Sequence, residues 1–170
     1  NLLPKGKSMI NKLILGTAQL GLNYGINNVL GKPTLDKGNQ ILDIAFAKGI
    51  RTLDTAGVYG NAHKVIGDYH KKNSKNKFKI ITKLPKSFNS SDLKLIIKNY
   101  LEELNTERIE ALMFHSFESY QNHIDIIETY KSENVYNKIG VSVYLNEEID
   151  YLINDERIDI VQLPFNLLDN

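Results

Sequence analysis

Short apolar segments alternate with amphipathic segments along the whole chain, and this alternation predicts a parallel α/β fold. Most of the apolar segments are nearly continuous hydrophobic runs, the pattern of parallel strands that are covered on both faces. Strict β–α alternation predicts right-handed crossovers within one sheet, which is either a barrel or a doubly wound sheet. A dinucleotide-binding sheet would carry G-x-G-x-x-G after its first strand, whereas this chain has GTAQLG there. We therefore predict a parallel (β/α)8 TIM barrel.

About six strands and five helices account for the chain. The strands are predicted at residues 12–16, 51–55, 78–83, 109–115, 138–143 and 158–163. The clearest helix is 91–104, where apolar residues from Leu93 to Leu104 recur at helical spacing, with Ser90 or Ser91 as its N-cap. A second helix near 35–48 ends at Gly49. Weaker helices are predicted near 61–72, 120–132 and 146–154.

The length of the chain predicts one domain over residues 1–170, in which the barrel is truncated. Barrels of this type typically need about 250 residues, and this chain has 170. Met9 is a candidate natural start, which would make residues 1–8 a tag or linker remnant. Open edges on the first and sixth strands invite pairing with another chain. We therefore expect either self-association or pairing with a missing C-terminal segment.

The composition excludes several classes of partner. The chain has 21 Lys and Arg against 20 Asp and Glu, so nothing indicates binding to nucleic acid or to an anionic membrane. No apolar run approaches the roughly 18 residues of a membrane span. The chain has no cysteine, which excludes disulfides and thiolate chemistry and is compatible with the expected cytoplasmic location. Its four histidines are widely spaced, so no metal site is predicted.

Four polar residues at or just past the ends of three consecutive predicted strands are the candidate catalytic groups. They are Asp54, Tyr59, Lys83 and His115. Each alone has an ordinary structural explanation, but an ammonium in an apolar segment is costly unless it has a partner. A nearby cation lowers the pKa of a phenol, which is about 10 when unperturbed. The set therefore predicts a proton-transfer site with Tyr59 as general acid.

These residues lie in motifs that resemble the N-terminal two-thirds of an aldo-keto reductase, from about Lys12 to Asn166. The motifs are LGTAQLG, LDTAGVYG, ITKLP, FHS, GVS and VQLPFN. The resemblance implies reduction of an aldehyde or ketone to an alcohol by NAD(P)H. In it, Tyr59 is the acid and Lys83 tunes it, while Asp54 holds Lys83 and His115 orients the substrate carbonyl. The isolated 170-residue chain is expected to be inactive and to bind cofactor poorly.

The resemblance also implies a set of cofactor-binding residues, with NADP(H) favoured over NAD(H). The set consists of Gly16, Thr17, Asp54, Ser142 and Gln162. Val143 departs from the family pattern, which has Asn after the serine, so one hydrogen bond is lost, worth about 1 kcal/mol. The loop Gln19–Pro33 is expected to overhang the site and to help select the substrate. Its sequence LGLNYGINN resembles a subgroup of the family whose members often accompany sugar-modification enzymes. This resemblance implies a sugar-derived carbonyl as the substrate.

Two other functions stay open at the level of sequence. One is a Schiff-base barrel lyase that uses Lys83 as its nucleophile, although it would have no use for Tyr59 and His115. The other is a non-catalytic barrel that binds the cofactor and acts through interaction with a partner. His63, His70 and His123 lie at no predicted strand end and are interpreted as surface or helix residues.

Overall fold

The computed structural model describes residues 12–165 and contains the predicted parallel strands in chain order. The strands are β1 (Ile14–Gly16), β2 (Thr52–Asp54), β3 (Lys79–Lys83), β4 (Ile109–Phe114), β5 (Tyr136–Ser142) and β6 (Ile160–Gln162). Parallel pairing joins β1 to β2, β3 to β4, β4 to β5 and β5 to β6. Six parallel strands with intervening helices confirm the predicted fold class, an incomplete (β/α)8 barrel.

Six α-helices lie between these strands in the described part of the chain. They are α1 (Ala18–Gly21), α2 (Leu35–Ala47), α3 (Ala62–Lys72), α4 (Leu93–Leu104), α5 (Phe117–Tyr130) and α6 (Asn146–Leu152). The five predicted helices are present, and α1 was not predicted. The predicted serine cap of α4 is wrong, because Ser90–Asp92 forms a 3₁₀ turn that begins after Asn89 and runs directly into α4.

The chain divides into two compact units. The N-terminal unit comprises residues 12–80 and 102–106 of the described chain, and the C-terminal unit comprises 81–101 and 107–165. The prediction of a single domain over 1–170 stays a prediction, and the proposed remnant 1–8 lies outside the described residues.

The N-terminal unit is packed around Leu42, Leu53 and Ile66, whose side chains are fully buried. Helix α2 begins where the Thr34 hydroxyl accepts a hydrogen bond from the Lys37 amide, an N-cap of the usual kind. It ends at Ala47, and Gly49 follows at φ +97°, where glycine avoids the strain that other residues would bear. The predicted end of this helix is therefore confirmed.

A buried histidine joins two segments of the N-terminal unit. His70 on α3 has no exposed surface, and its Nδ1 lies 2.8 Å from the Leu104 carbonyl oxygen. Its Nε2 lies 3.1 Å from the Phe78 amide nitrogen. Burial lowers the pKa of His70, which keeps the ring neutral at physiological pH. His70 is thus a structural residue of α3.

The C-terminal unit is packed around fully buried residues of its central strands, among them Leu112, Phe114, Ile139 and Val141. Helix α5 begins at Phe117, because the Ser116 hydroxyl accepts a hydrogen bond from the Ser119 amide. This cap places the start of α5 three residues before the predicted one.

An ionic network anchors α5 and the segment before β6 in the C-terminal unit. The Asp155 carboxylate accepts bonds from the Arg157 Nε and from a second guanidinium nitrogen at 2.7 Å, and it also accepts the Tyr120 hydroxyl. Arg157 also contacts Asp125 at 2.7 Å. The Arg157 and Tyr120 bonds hold the pKa of Asp155 well below its usual range. The Asp155 side chain is 11% exposed and the Asp125 side chain is 93% exposed, so the guanidinium has one partly buried partner and one exposed partner.

We expect Asp155→Asn to lower the free energy of unfolding by about 2 kcal/mol, because it replaces a charged acceptor of several partly buried hydrogen bonds. Urea unfolding measures the change. Asp125→Asn is the matched control and should cost less than about 1 kcal/mol. A depressed pKa stabilises the folded state above the unfolded value of about 4, and the benefit fades below that pH. The Asp155→Asn deficit should therefore shrink as the pH falls below about 4, and a pH-independent deficit would contradict this account.

Candidate active site

The four candidate catalytic residues all lie at the carboxyl ends of strands. Asp54 is the last residue of β2 and Lys83 is the last residue of β3, while His115 directly follows β4. Tyr59 lies in the loop after β2. Asp54 and Tyr59 belong to the N-terminal unit, and Lys83 and His115 belong to the C-terminal unit. The joining of the four into one catalytic set stays a prediction.

The N-terminal unit brings Asp54 and Tyr59 together in a cavity of about 290 Å³. Gly16 and Thr17, two of the predicted cofactor-binding residues, line the same cavity. The remaining lining residues are Ala18, Gln19 and Tyr24. Four residues that were selected from the sequence on chemical grounds and on resemblance therefore border one space.

Thr17 fixes the end of β2 against β1. Its amide and its hydroxyl both donate to the Asp54 carbonyl oxygen, each at 2.9 Å, and the residue is fully buried. The strand register places Gly16 opposite Asp54. These bonds hold the main chain of Asp54, so they also set the direction in which its carboxylate leaves the strand.

Gly16 leaves open space at the end of β1. A Cβ atom built at this position would meet no other atom within 4 Å. The end of β1 therefore presents bare backbone to the cavity, which suits the approach of a flat ring.

The turn after β2 presents Tyr59 to the cavity. The Tyr59 amide donates to the Ala56 carbonyl at 3.0 Å, and the Tyr59 carbonyl accepts from the Ala62 amide at 3.1 Å. Ala62 is the first residue of α3, so the main chain of Tyr59 forms part of the start of that helix. Its side chain is half-buried.

Lys83 is a buried lysine, with 3% of its surface exposed. Its carbonyl accepts a hydrogen bond from the Tyr100 hydroxyl at 3.2 Å, and the following amide of Leu84 donates to the Met113 carbonyl at 2.8 Å. Burial of an ammonium is costly unless the charge is paired. The assignment of Lys83 to the catalytic set stays a prediction.

His115 occupies the junction between β4 and α5. It follows Phe114, the last residue of β4, and precedes Ser116, the N-cap of α5. The side chain is half-buried. The strand and the helix cap together fix the main chain on both sides of this imidazole.

Ser142 and Gln162 lie side by side at the ends of β5 and β6. The two residues are register partners, and the Val143 amide donates to the Gln162 carbonyl at 2.9 Å. Ser142 is 8% exposed and Val143 is 1% exposed. The C-terminal unit therefore brings together the two predicted residues that carry a hydroxyl and an amide.

The remaining histidines, which were interpreted as surface or helix residues, all lie on helices. His63 and His70 lie on α3 and are buried, so the surface alternative is wrong for both. Burial lowers the pKa of His63 to about 4, and its Nδ1 lies 3.5 Å from Glu103. His123 lies on α5. Within residues 12–165, no three His, Asp or Glu side chains are grouped to hold a metal ion.

Sequence reasoning missed Tyr24 as a lining residue of the cavity. Its carbonyl accepts a hydrogen bond from the Gln19 side-chain amide at 3.0 Å, which ties the loop after α1 to the cavity wall. An aromatic residue in a Gly- and Asn-rich loop was the available signal.

A larger open cavity of about 670 Å³ lies beside α6 and contains none of the predicted site residues. Its lining includes the Asp155–Arg157 network and further carboxylates. We assign it no part in the chemistry.

Every helix in the described chain is too short or too polar to cross a bilayer.

The family model described as "Aldo/keto reductase family" matches residues 12–170. No curated protein sequence matches the chain. The Pseudomonas aeruginosa protein PA4992, which carries the aldo-keto reductase name, is similar over 91% of this chain and 63% of its own, with 22% identity and a TM-score of 0.76.

Two further solved structures show the same fold. Aldo-keto reductase AKR11C1 of Bacillus halodurans, in its holo form, is similar over 90% of this chain and 53% of its own, with 21% identity and a TM-score of 0.70. Bombyx mori aldo-keto reductase AKR2E4 in complex with NADP is similar over 91% and 54%, with 20% identity and a TM-score of 0.69. The chain thus spans between about half and two thirds of the length of these structures.

Proposed function

This chain belongs to the aldo/keto reductase family, and on that premise we propose that it carries the proton-transfer site of an NAD(P)H-dependent reductase of aldehydes or ketones. The observation that carries the proposal is the single cavity that Asp54 and Tyr59 border together with Gly16 and Thr17. We propose a sugar-derived carbonyl as the substrate and the cytoplasm as the location.

Tyr59 is the proposed general acid. Reduction of a carbonyl adds a hydride to the carbon and a proton to the oxygen, and the phenol of Tyr59 gives that proton to the developing alkoxide. A bound NAD(P)H supplies the hydride. The product is an alcohol, and the Tyr59 phenolate regains its proton from solvent.

Lys83 and Asp54 are proposed to tune this acid, and His115 to orient the substrate carbonyl. A cation close to a phenol favours the phenolate, which makes the phenol a stronger acid at neutral pH. The burial of Lys83 supports this role, because an ammonium in a dry setting acts strongly on its neighbours. Asp54, at the end of β2, is the proposed partner that offsets the burial of that charge.

Each unit contains residues that fit part of a nicotinamide cofactor. In the N-terminal unit, Gly16 leaves room for a flat ring. In the C-terminal unit, the register partners Ser142 and Gln162 offer a hydroxyl and an amide that can bind a carboxamide group. Val143 supplies no further polar side chain there. We propose NADP(H) in preference to NAD(H), in line with the NADP complex of the Bombyx mori relative.

We expect Ser142→Ala and Gln162→Ala each to weaken NADPH binding about 10-fold in the full-length protein, because each removes a hydrogen bond to a buried group. Quenching of NADPH fluorescence measures the dissociation constant. Ser132→Ala, which removes an exposed hydroxyl that donates to the Thr129 carbonyl, is the matched control and should bind NADPH as the parent does. Equal affinity in all four proteins would remove Ser142 and Gln162 from the cofactor site.

A buried lysine also favours one rival, a Schiff-base lyase with Lys83 as nucleophile. Borohydride trapping followed by mass spectrometry separates the two functions. A reductase consumes NADPH with aldehydes and leaves no substrate attached to Lys83. A covalent adduct on Lys83, formed without NADPH, would replace the proposed function with the rival.

A further inference from the structure

We propose that Gly21 and Gly60 are positioning residues that hold the main chain of Tyr59 in place, an inference that rests on the proposed function of Tyr59. Gly21 is the last residue of α1, and Gly60 directly follows Tyr59. The two glycines let the backbone of α1 touch the backbone of the Tyr59 turn. The contact on the Gly21 side is made by main-chain atoms, and the Leu22 side chain packs beside Gly60, so the geometry depends on both positions lacking a Cβ atom.

The contact on the Gly21 side is the tighter one. A Cβ atom at Gly21 would lie 1.8 Å from the Tyr59 carbonyl oxygen and 2.6 Å from the Ala62 amide nitrogen. These two atoms are hydrogen-bonded to each other at 3.1 Å and start α3. Gly21 is buried in this contact, so the added carbon has no vacant direction. Any side chain at Gly21 must therefore push the Tyr59 carbonyl away from α1.

Gly60 completes the contact from the side of the Tyr59 turn. A Cβ atom there would lie 2.5 Å from the Gly21 carbonyl oxygen and 3.0 Å from the Leu22 side chain. Gly60 also has φ +57°, a backbone conformation that costs other residues free energy. Space and conformation both require glycine next to the candidate acid.

The same helix that Gly21 ends also borders the candidate cavity. Ala18 and Gln19 of α1 line it together with Tyr59. The hydroxyl-bearing side chain and one cavity wall are therefore joined through the Gly21–Tyr59 backbone contact. Forcing the two backbones apart by more than an ångström, as a methyl group at Gly21 requires, moves the phenol relative to that wall.

Displacement of this size has a large kinetic effect, because a misplacement of about 1 Å in a reacting group can cost about 100-fold in rate. We expect Gly21→Ala to lower kcat about 100-fold in the full-length protein, with a smaller change in KM. The pH profile of kcat should also shift, because the displaced phenol leaves the groups that set its acidity. A residue that merely supports folding would move neither quantity in the folded enzyme.

Gly67→Ala is the matched control for the steric collision itself. Gly67 lies on α3 in the same unit, and a Cβ atom there would lie 1.9 Å from the Glu103 carbonyl oxygen. This clash with a main-chain carbonyl is as severe as that of Gly21, but it involves no residue of the cavity. Gly67→Ala should lower Tm while the folded enzyme keeps the parental kcat and pH profile.

The experiment compares kcat, KM, pH profile and Tm for Gly21→Ala, Gly60→Ala and Gly67→Ala, with and without Tyr59→Phe. The proposal expects a loss of kcat for the first two variants alone, and no further loss when either is added to Tyr59→Phe. Equal kcat in Gly21→Ala and Gly67→Ala would overturn it. An additional loss in the Tyr59→Phe background would overturn it too, because the glycines would then act elsewhere.

Two further outcomes keep the test decisive. If neither Gly21→Ala nor Gly60→Ala folds, Leu22→Ala loosens the same contact without a collision, and an unchanged kcat in that variant overturns the proposal. If Tyr59→Phe itself keeps full activity, the proposed function fails. If Tyr59→Phe is inactive while the glycine variants are not, only the positioning inference fails.

Discussion

Tyr59→Phe should lower kcat by about 100- to 10,000-fold, because it removes the proposed proton donor of the transition state and leaves the ring in place. The NADPH dissociation constant should stay nearly unchanged, since the hydroxyl contributes little before the reaction begins. Steady-state kinetics on the full-length protein with a panel of aldehydes, sugar aldehydes included, gives kcat. Fluorescence titration gives the dissociation constant.

Tyr144→Phe is the control for Tyr59→Phe. Tyr144 lies two residues after the end of β5 and is 73% exposed, so its hydroxyl is removed without disturbing the cavity. This variant should retain parental kcat. If cofactor affinity falls in step with kcat in Tyr59→Phe, Tyr59 is a structural residue and the proposed acid is wrong.

Lys83→Met should lower kcat at neutral pH about 100-fold, because in the proposed mechanism the phenol of Tyr59 loses the cation that makes it acidic. The basic limb of the pH profile should move to higher pH. The sign follows from the charge: a nearby cation stabilises the phenolate, so its removal leaves Tyr59 protonated to a higher pH. Stopped-flow rates between neutral and alkaline pH measure both effects.

Lys79→Met is the matched control, since Lys79 begins the strand that Lys83 ends and its side chain is exposed. It should show parental kcat and an unmoved pH profile. A Lys83→Met enzyme with reduced kcat but an unchanged basic limb would mean that Lys83 acts on substrate rather than on Tyr59.

Most of the strands were predictable because they are nearly continuous apolar runs, a pattern that is typical of parallel strands. Predicted and observed strand ends differ by at most two residues, as with 12–16 against Ile14–Gly16. Helix α1 was not predictable, since four residues cannot show a 3.6-residue period and Gly21 disfavours helix. The start of α5 was predicted at residue 120, three residues too late. Its first turn begins at Phe117 because of the Ser116 cap.

The candidate site was predictable in its residue types and strand positions, and not in its backbone contacts. Strand ends in a parallel sheet share one edge, so Asp54, Lys83 and Ser142 could be selected from the strand pattern and the resemblance. The contact of Gly21 with Tyr59 joins segments that are far apart in sequence. A glycine gives no periodic signal in the sequence. That Gly21 must lack a Cβ atom becomes visible only when α1 and the Tyr59 turn are both in place.

The buried ring of His70 has a consequence for how two segments of the N-terminal unit are connected. A carbonyl oxygen can only accept, so the Nδ1 of His70 carries the proton and donates a hydrogen bond to the Leu104 carbonyl. Its Nε2 accepts a hydrogen bond from the Phe78 amide. The neutral ring therefore offers one donor and one acceptor on opposite sides, as a peptide unit does. His70 therefore makes the two hydrogen bonds that a peptide group could make, and it joins the segment of Phe78 to that of Leu104. A leucine of similar bulk would fill the space and leave both backbone groups buried without a bond.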